Sequence, residues 1–394
     1  MSRGEVDPIG VDLNVGFSLL TLFPGRVGGS ESYVQGLLRE FGRLDASERI
    51  TVLANRHVLS AYGGASGPIS LHHVRSYRSG DRMATRALAM AYARLAPRRV
   101  ARDVPTGLNV IHYPVTVTIP ATALPTVVTS HELLHHVLPG SLSAAERAYR
   151  RLTYDRAVRA ADVVVALSDH HRETIVERLG VPRERTEVVR LGIDRARYSP
   201  DGESGYPAGL PDCFIFYPAN LWPHKNHKRL LRALALCRNR KLDLVLAGQS
   251  YGRHDVLMEQ ARSAGVLDRV HHLGHVPSEL LPGIYRAARA VVFPSLYENF
   301  GFPPLEAMAC GCPVASSTAG ALGEICGDAV VPFEPTRLEA IAAAIEAVTE
   351  DDELRSRLRG RGSERAEAFD WSAAAARHIE IYRRAATGRA RRVA

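Results

Sequence analysis

Two successive series of short, valine- and isoleucine-rich runs constrain this chain more than any other feature, because stretches of helical periodicity alternate with them. The first series is Val11 to Phe17, Ile50 to Ala54, Val110 to Tyr113, Thr126 to Ser130, Val163 to Leu167 and Glu187 to Leu191. The second is Phe214 to Pro218, Leu242 to Ala247, Val270 to Leu273, Ala290 to Pro294, Val314 to Ser316 and Val330 to Phe333. Runs that do not alternate between apolar and polar suit strands buried on both faces, as in a parallel sheet covered by helices. Strand and helix alternating twice over predicts an α/β chain with two doubly wound, Rossmann-like domains. The length of 394 residues agrees, since it exceeds what one hydrophobic core usually organises. Residues 196–212 are dense in Gly, Pro and Asp and lack an apolar period, so they are the expected linker between a domain over 1–195 and one over 213–372.

Composition narrows the setting rather than the function. Hydrophobic residues at 46% and charged residues at 23% are those of an ordinary globular enzyme. The chain has no apolar run of eighteen residues, and its start lacks a secretory leader pattern, so a cytoplasmic protein is expected. The five cysteines are odd in number and lack paired Cys-x-x-Cys spacing, which favours free buried thiols over a zinc site. The net charge of +8 suggests an anionic partner. Two arginine-rich helical stretches, Arg82 to Arg102 and Glu146 to Arg159, read first as solvated faces; the alternatives are a peripheral contact with the anionic inner face of a membrane or a hold on a phosphorylated acceptor. No recognisable motif for nucleic acid accompanies them.

The segment Phe293 to Cys312, FPSLYENFGFPPLEAMACGC, carries the most chemistry. A buried run ends at Pro294, and Pro303 and Pro304 suit the first turn of a helix, where a missing N–H costs nothing. Glu298, Asn299, Phe300 and Gly301 thus lie just before a helix N-terminus, whose free amides and dipole attract phosphate. Glu298 and Glu306 have seven residues between them in that sequence, placed to accept hydrogen bonds from sugar hydroxyls.

This segment resembles the E-x7-E signature of the retaining glycosyltransferases of GT-B fold, most closely those of family 4, with a leaning to mannosyltransferase members. The resemblance implies two Rossmann-like domains facing a cleft, with the final helix, 373–390, crossing back to the first domain. It implies that Glu298 contacts donor-sugar hydroxyls, that Glu306 holds the ribose, and that the amides of Asn299, Phe300 and Gly301 meet the phosphate. FYPANLWPHKNH, Phe216 to His227, is similar to the family's strand-to-helix segment and makes Lys225 the cation on the donor diphosphate. Where many relatives carry a second arginine, this chain has Asn220 and His224; whether His224, Arg229 or neither supplies the second charge stays open. PGRVGGSESY places Gly28 and Gly29 at a strand-to-helix turn capped by Ser30, a loop that in the family approaches the donor phosphates.

His131-Glu132-Leu133-Leu134-His135 also spells H-E-x-x-H, the zinc pattern of many metallopeptidases, and this is the rival reading. That motif needs a helix, whereas the strand-like PTVVTS runs directly into His131 and Pro139-Gly140 ends any helix soon after. In the family, a histidine at the end of this strand enters the cleft and contacts the donor sugar, which assigns His131 to the site. His135 and His136 read as structural. The resulting expectation is a hexosyl transfer from a nucleotide sugar, GDP-mannose first and a UDP-sugar next. The acceptor would be the hydroxyl of a saccharide, a lipid-linked saccharide or a small molecule. No Asp-x-Asp occurs, so no metal cofactor is expected, and retention of anomeric configuration is implied by the family alone.

Overall fold

A computed structural model describes residues 12–393 except 26, 27, 46, 64–66, 81, 82, 203, 204 and 206–208. Val11, Arg82, the Arg26-Val27 pair of the glycine loop and part of the expected linker therefore lie outside the described residues.

Seven parallel strands form the first sheet: β1 (Leu13–Ser18), β2 (Glu48–Ala54), β3 (Ile69–His73), β4 (Val110–Tyr113), β5 (Thr126–Thr129), β6 (Val163–Ala166) and β7 (Thr186–Val188), in the order β3-β2-β1-β4-β5-β6-β7. Six parallel strands form the second: β8 (Phe214–Pro218), β9 (Asp243–Ala247), β10 (Val270–His272), β11 (Ala290–Phe293), β12 (Val314–Ser317) and β13 (Val331–Phe333), in the order β10-β9-β8-β11-β12-β13. Every described pairing is parallel, with Val15 opposite both Ile50 and Val110, and Phe216 opposite both Val245 and Val291. The central strands are buried on both faces, which is why they read as continuous apolar runs. Strand β3, ISLHH, was not expected. It is an edge strand with polar and half-exposed positions, so it lacks the apolar run that marks the others.

In each sheet the strand order reverses beside the first strand, between β1 and β4 and between β8 and β11. Open parallel sheets bind ligands in the crevice outside the strand ends at such a switch point. The loops that follow β5, β8 and β11 carry His131, Lys225 and Glu298 respectively, so topology brings these three toward one crevice.

The last helix, Trp371–Val393, packs on helix Gly29–Phe41 and reaches β1, β4 and β5 of the first sheet. Its N-terminus is capped by Asp370, whose carboxylate accepts from Ala373 N at 2.8 Å and from Ser372 Oγ at 2.6 Å. Two tyrosines and two histidines anchor it: His112 Nδ1 meets Tyr382 Oη at 2.6 Å, and Tyr33 Oη meets His378 Nε2 at 2.8 Å, all buried.

Candidate active site

Strand β8 runs out into Ala219 to Asn226, and this turn is held by its neighbours. Asn220 Oδ1 accepts from Gln249 N at 2.7 Å, so its side-chain oxygen ties the β8 loop to the β9 loop. Asn226 takes the left-handed backbone conformation (φ 64°), and its Nδ2 donates to Pro294 O at 3.0 Å and Pro335 O at 2.8 Å. Tyr217 Oη donates to Lys225 O at 2.9 Å and meets Ser295 Oγ at 3.2 Å, locking the lysine's backbone to the β11 loop.

Those anchors place Lys225 Nζ 2.6 Å from Glu298 Oε1, with both side chains largely buried. Burial alone would raise the Glu298 carboxyl, but the Lys225 ammonium together with its other polar neighbours, Ser295 among them, outweighs it and holds the group below its usual range. His224 sits beside this pair, and burial together with Lys225 lowers its pKa to about 4. It is therefore a neutral imidazole at pH 7 and supplies no second positive charge. Arg229 Nη1 donates to Asn226 Oδ1 at 3.0 Å, which ties that arginine to the helix start.

Gly301, at φ 110°, ends the loop, and the helix Phe302–Ala309 begins as the two prolines foretell. Because Pro303 and Pro304 lack N–H groups, the amides on offer at this end belong to Phe300, Gly301 and Phe302. Glu306 lies on the second turn, half-buried, where its Oε2 accepts from Tyr285 Oη at 2.7 Å. Burial raises its pKa, and the Tyr285 and Tyr198 hydroxyls only partly offset that. Neither tyrosine was singled out in the sequence, since they come from the helix before β11 and from the linker.

The first domain meets this loop directly. Asn299 Nδ2 donates to His131 O at 3.0 Å, and Ser168 Oγ donates to Asn299 O at 2.9 Å. His131 Nε2 lies 2.6 Å from Pro114 O, an acceptor only, so Nε2 carries the proton and Nδ1 keeps a lone pair. Burial, partly offset by that bond, lowers its pKa to about 4. Gly28 (φ 56°) precedes helix Gly29–Phe41, whose N-cap is Gly28 itself rather than Ser30; the positive φ suits glycine and moves the helix start forward. A Cβ on Gly29 would lie 3.5 Å from Phe302, so this turn borders the Glu298–Glu306 segment.

The zinc-peptidase reading is corrected by the same geometry. His131 to Leu133 precede the short helix Leu134–Val137, so the two histidines do not share a helical face. His131 is bonded to Pro114, Glu132 pairs with Arg150, and His135 Nε2 bonds Asp155 Oδ1 at 2.7 Å. His136 Nε2 bonds the other Asp155 oxygen at 2.9 Å. Among the described residues His135, His136 and Asp155 are the group whose donor atoms lie close enough, within 4.8 Å, to hold a metal ion. They stand together as a bidentate carboxylate clamp.

Comparison with known proteins bears on the whole chain. The Glycosyltransferase Family 4 model matches residues 27–197 and the Glycosyl transferases group 1 model matches residues 208–365. The chain belongs to the family 4 type glycosyltransferases. This glycosyltransferase is 29% identical over 305 residues to the O-antigen chain mannosyltransferase B of Escherichia coli, covering 75% of its own length and 80% of that relative. It is 30% identical over 279 residues to the D-inositol 3-phosphate glycosyltransferase of Rhodococcus erythropolis, covering 67% of itself and 63% of that protein. Its architecture is GT-B. Sucrose-phosphate synthase from Thermosynechococcus elongatus superposes with a TM-score of 0.73 at 21% identity, covering 94% of this chain and 98% of that one. HepE from Anabaena, in complex with UDP-glucose, gives 0.68 at 18% identity, covering 94% and 99%.

Proposed function

We propose that this glycosyltransferase moves a hexosyl unit from GDP-mannose, or failing that a UDP-sugar, to a hydroxyl of a saccharide, lipid-linked saccharide or small-molecule acceptor. Retention of configuration and independence from metal ions belong to the same reading. The observation that carries it is the Lys225–Glu298 pair at the crevice of the second sheet, brought under His131 by the Asn299 bond. The departing diphosphate needs positive charge, and a preorganised ammonium beside the amides of Phe300 to Phe302 is where it would find it. Glu298 then accepts from a sugar hydroxyl, and Glu306, released from Tyr285, accepts from the ribose. His131, neutral with its lone pair on Nδ1, accepts from a further sugar hydroxyl. The mannosyltransferase relative supports GDP-mannose, and the UDP-glucose complex of HepE supports the UDP-sugar as runner-up.

The test is a panel of nucleotide sugars, scored by hydrolysis and thermal shift with and without a chelator. One donor should stand out, with chelator making no difference. Lys225→Ala and Glu298→Ala should each lower turnover by roughly 100-fold or more while the protein stays folded. Full activity in both variants would overturn the reading.

A membrane-facing acceptor has its own support. Helix Met83–Leu95 exposes Leu88 (69%) and Leu95 (85%), and Leu152 (63%) stands beside it, bonded through its carbonyl to Arg94 Nη1. Apolar side chains ringed by arginines suit an anionic bilayer surface. Among the described residues no helix is long and apolar enough to cross a membrane. Co-sedimentation with phosphatidylglycerol vesicles, weakened in Leu88→Glu, checks this.

A further inference from the structure

A diphosphate is a multiply charged anion, yet the second domain answers it with one ammonium that Glu298 already neutralises in part. His224 is neutral, and Arg229 is turned to Asn226 Oδ1 at the helix start. Among the described residues, a further cation near Lys225 comes from the other side of the cleft.

Arg150 ends the helix Ala144–Arg150 of the first domain. Arg151, Arg156 and Arg159 nearby are exposed to solvent, whereas the Arg150 side chain is only 19% exposed. Its guanidinium pairs with Glu132, the residue after His131, whose carbonyl receives the Asn299 side chain from the Glu298 loop. It also lies over the Tyr154 ring, 5.8 Å from the centroid. Its charge is felt at His224, next to Lys225, where it helps to depress that imidazole. Burial lowers the pKa of Arg150 itself, as expected of a cation held away from water. Lys225 and Arg150 thus each face one carboxylate, Glu298 and Glu132 respectively. Glu132, 35% exposed, can turn toward solvent and free the guanidinium fork, whose geometry matches a phosphoryl group.

We propose that Arg150 is an anion-binding residue of the cleft, its guanidinium meeting a phosphoryl group from the side opposite Lys225. The second positive charge is then delivered by the first domain, and the phosphate site is complete only when the domains are together. This rests on the reading of Lys225 and Glu298 given above. The phosphoryl group belongs either to the donor's diphosphate or to a phosphorylated acceptor.

Titration calorimetry with GDP and UDP, on the whole protein and on Arg150→Gln, separates the two sources. For a donor diphosphate, Arg150→Gln should weaken the nucleoside diphosphates at least about tenfold and leave guanosine and uridine unchanged. For an acceptor phosphate, nucleoside diphosphate binding should be unchanged, while inorganic phosphate titrated into the GDP- or UDP-saturated protein binds the unaltered chain and not Arg150→Gln. Glu132→Gln distinguishes an anion site from a merely structural ion pair. Freeing the guanidinium should hold or tighten phosphate binding in this variant, and Arg150→Lys should restore part of what Arg150→Gln loses. If Glu132→Gln and Arg150→Gln lose melting temperature alike and both leave every anion affinity unchanged while Lys225→Ala weakens the nucleoside diphosphates, Arg150 has no such role and the donor site stands. If Lys225→Ala is without effect too, the functional reading itself has failed.

Discussion

Gly320 positions Glu298 by leaving room for it. At φ 64°, a Cβ on this residue would sit 2.3 Å from Glu298 O and 2.8 Å from Glu298 N, while Ala321 N donates to that same carbonyl at 2.8 Å. Both the backbone conformation and the space demand glycine here. Gly320→Ala should therefore push the Glu298 segment away from Lys225, costing about 1–3 kcal/mol in a urea titration and most of the transfer activity. Gly323→Ala is the control: its nearest atom would be 3.8 Å away and its φ is not positive, so stability should hold or rise slightly. An unchanged Gly320→Ala enzyme would mean that the loop is not held by this contact. Lys225, His131 and the two glutamates could be put forward from the sequence because each sits in a contiguous motif, and the fold brings Lys225, Glu298 and the His131 backbone together. Gly320, Tyr285 and Tyr198 carried no such signal, because each comes from outside those motifs and only the folded chain gives them a reason to be there.

At the scale of elements, the last helix matters because it belongs to the first sheet's core although it follows the second. Trp371 is the joint. A Cβ on Gly36, in the middle of helix Gly29–Phe41, would lie 2.3 Å from the indole, and one on Gly192 would lie 2.3 Å from Trp371 N. Two glycines far apart in sequence thus let the ring and its backbone seat between helix and chain. Gly36→Ala gains helix propensity worth up to about 1 kcal/mol but forces the indole out. The steric term should win, with a net loss of roughly 1–3 kcal/mol seen as a lower denaturation midpoint. A stabilised Gly36→Ala would show that Trp371 can shift at little cost. The sequence made the parallel strands readable through their apolar runs and the helix start at Pro303 through proline's missing donor. It did not reveal β3, where an edge strand's polar positions erase the pattern, nor that Asp370 caps the last helix.

Across the whole molecule, the two domains are joined by contacts that involve neutral or paired groups. Asp169 N and His170 N of the first domain donate to the Glu324 carboxylate of the second at 3.1 and 3.0 Å, and Arg190 pairs with the same carboxylate at 3.0 Å. Around this seam and in the cores lie imidazoles that burial holds far below their ordinary range: His131, His224 and His378 at about 4, His171 and His227 at about 3. In the unfolded chain each would titrate near 6.5. Between about pH 6.5 and pH 4 the unfolded state therefore binds more protons than the folded one, so stability must rise with pH in that window and fall as the solution is acidified. A group displaced from 6.5 to 4 loses about 2 kcal/mol of its contribution by pH 5. Glu298, held below its usual range by Lys225, keeps its charge until the pH is lower still, so the early acid loss belongs to the histidines. Urea titrations from pH 7.5 down to pH 5 should show the midpoint falling steadily, with less loss in His378→Gln, where one titrating core imidazole is gone. A flat profile across that range would mean that these rings take up protons without unfolding, and that the seam beside His131 is wetter than its packing indicates.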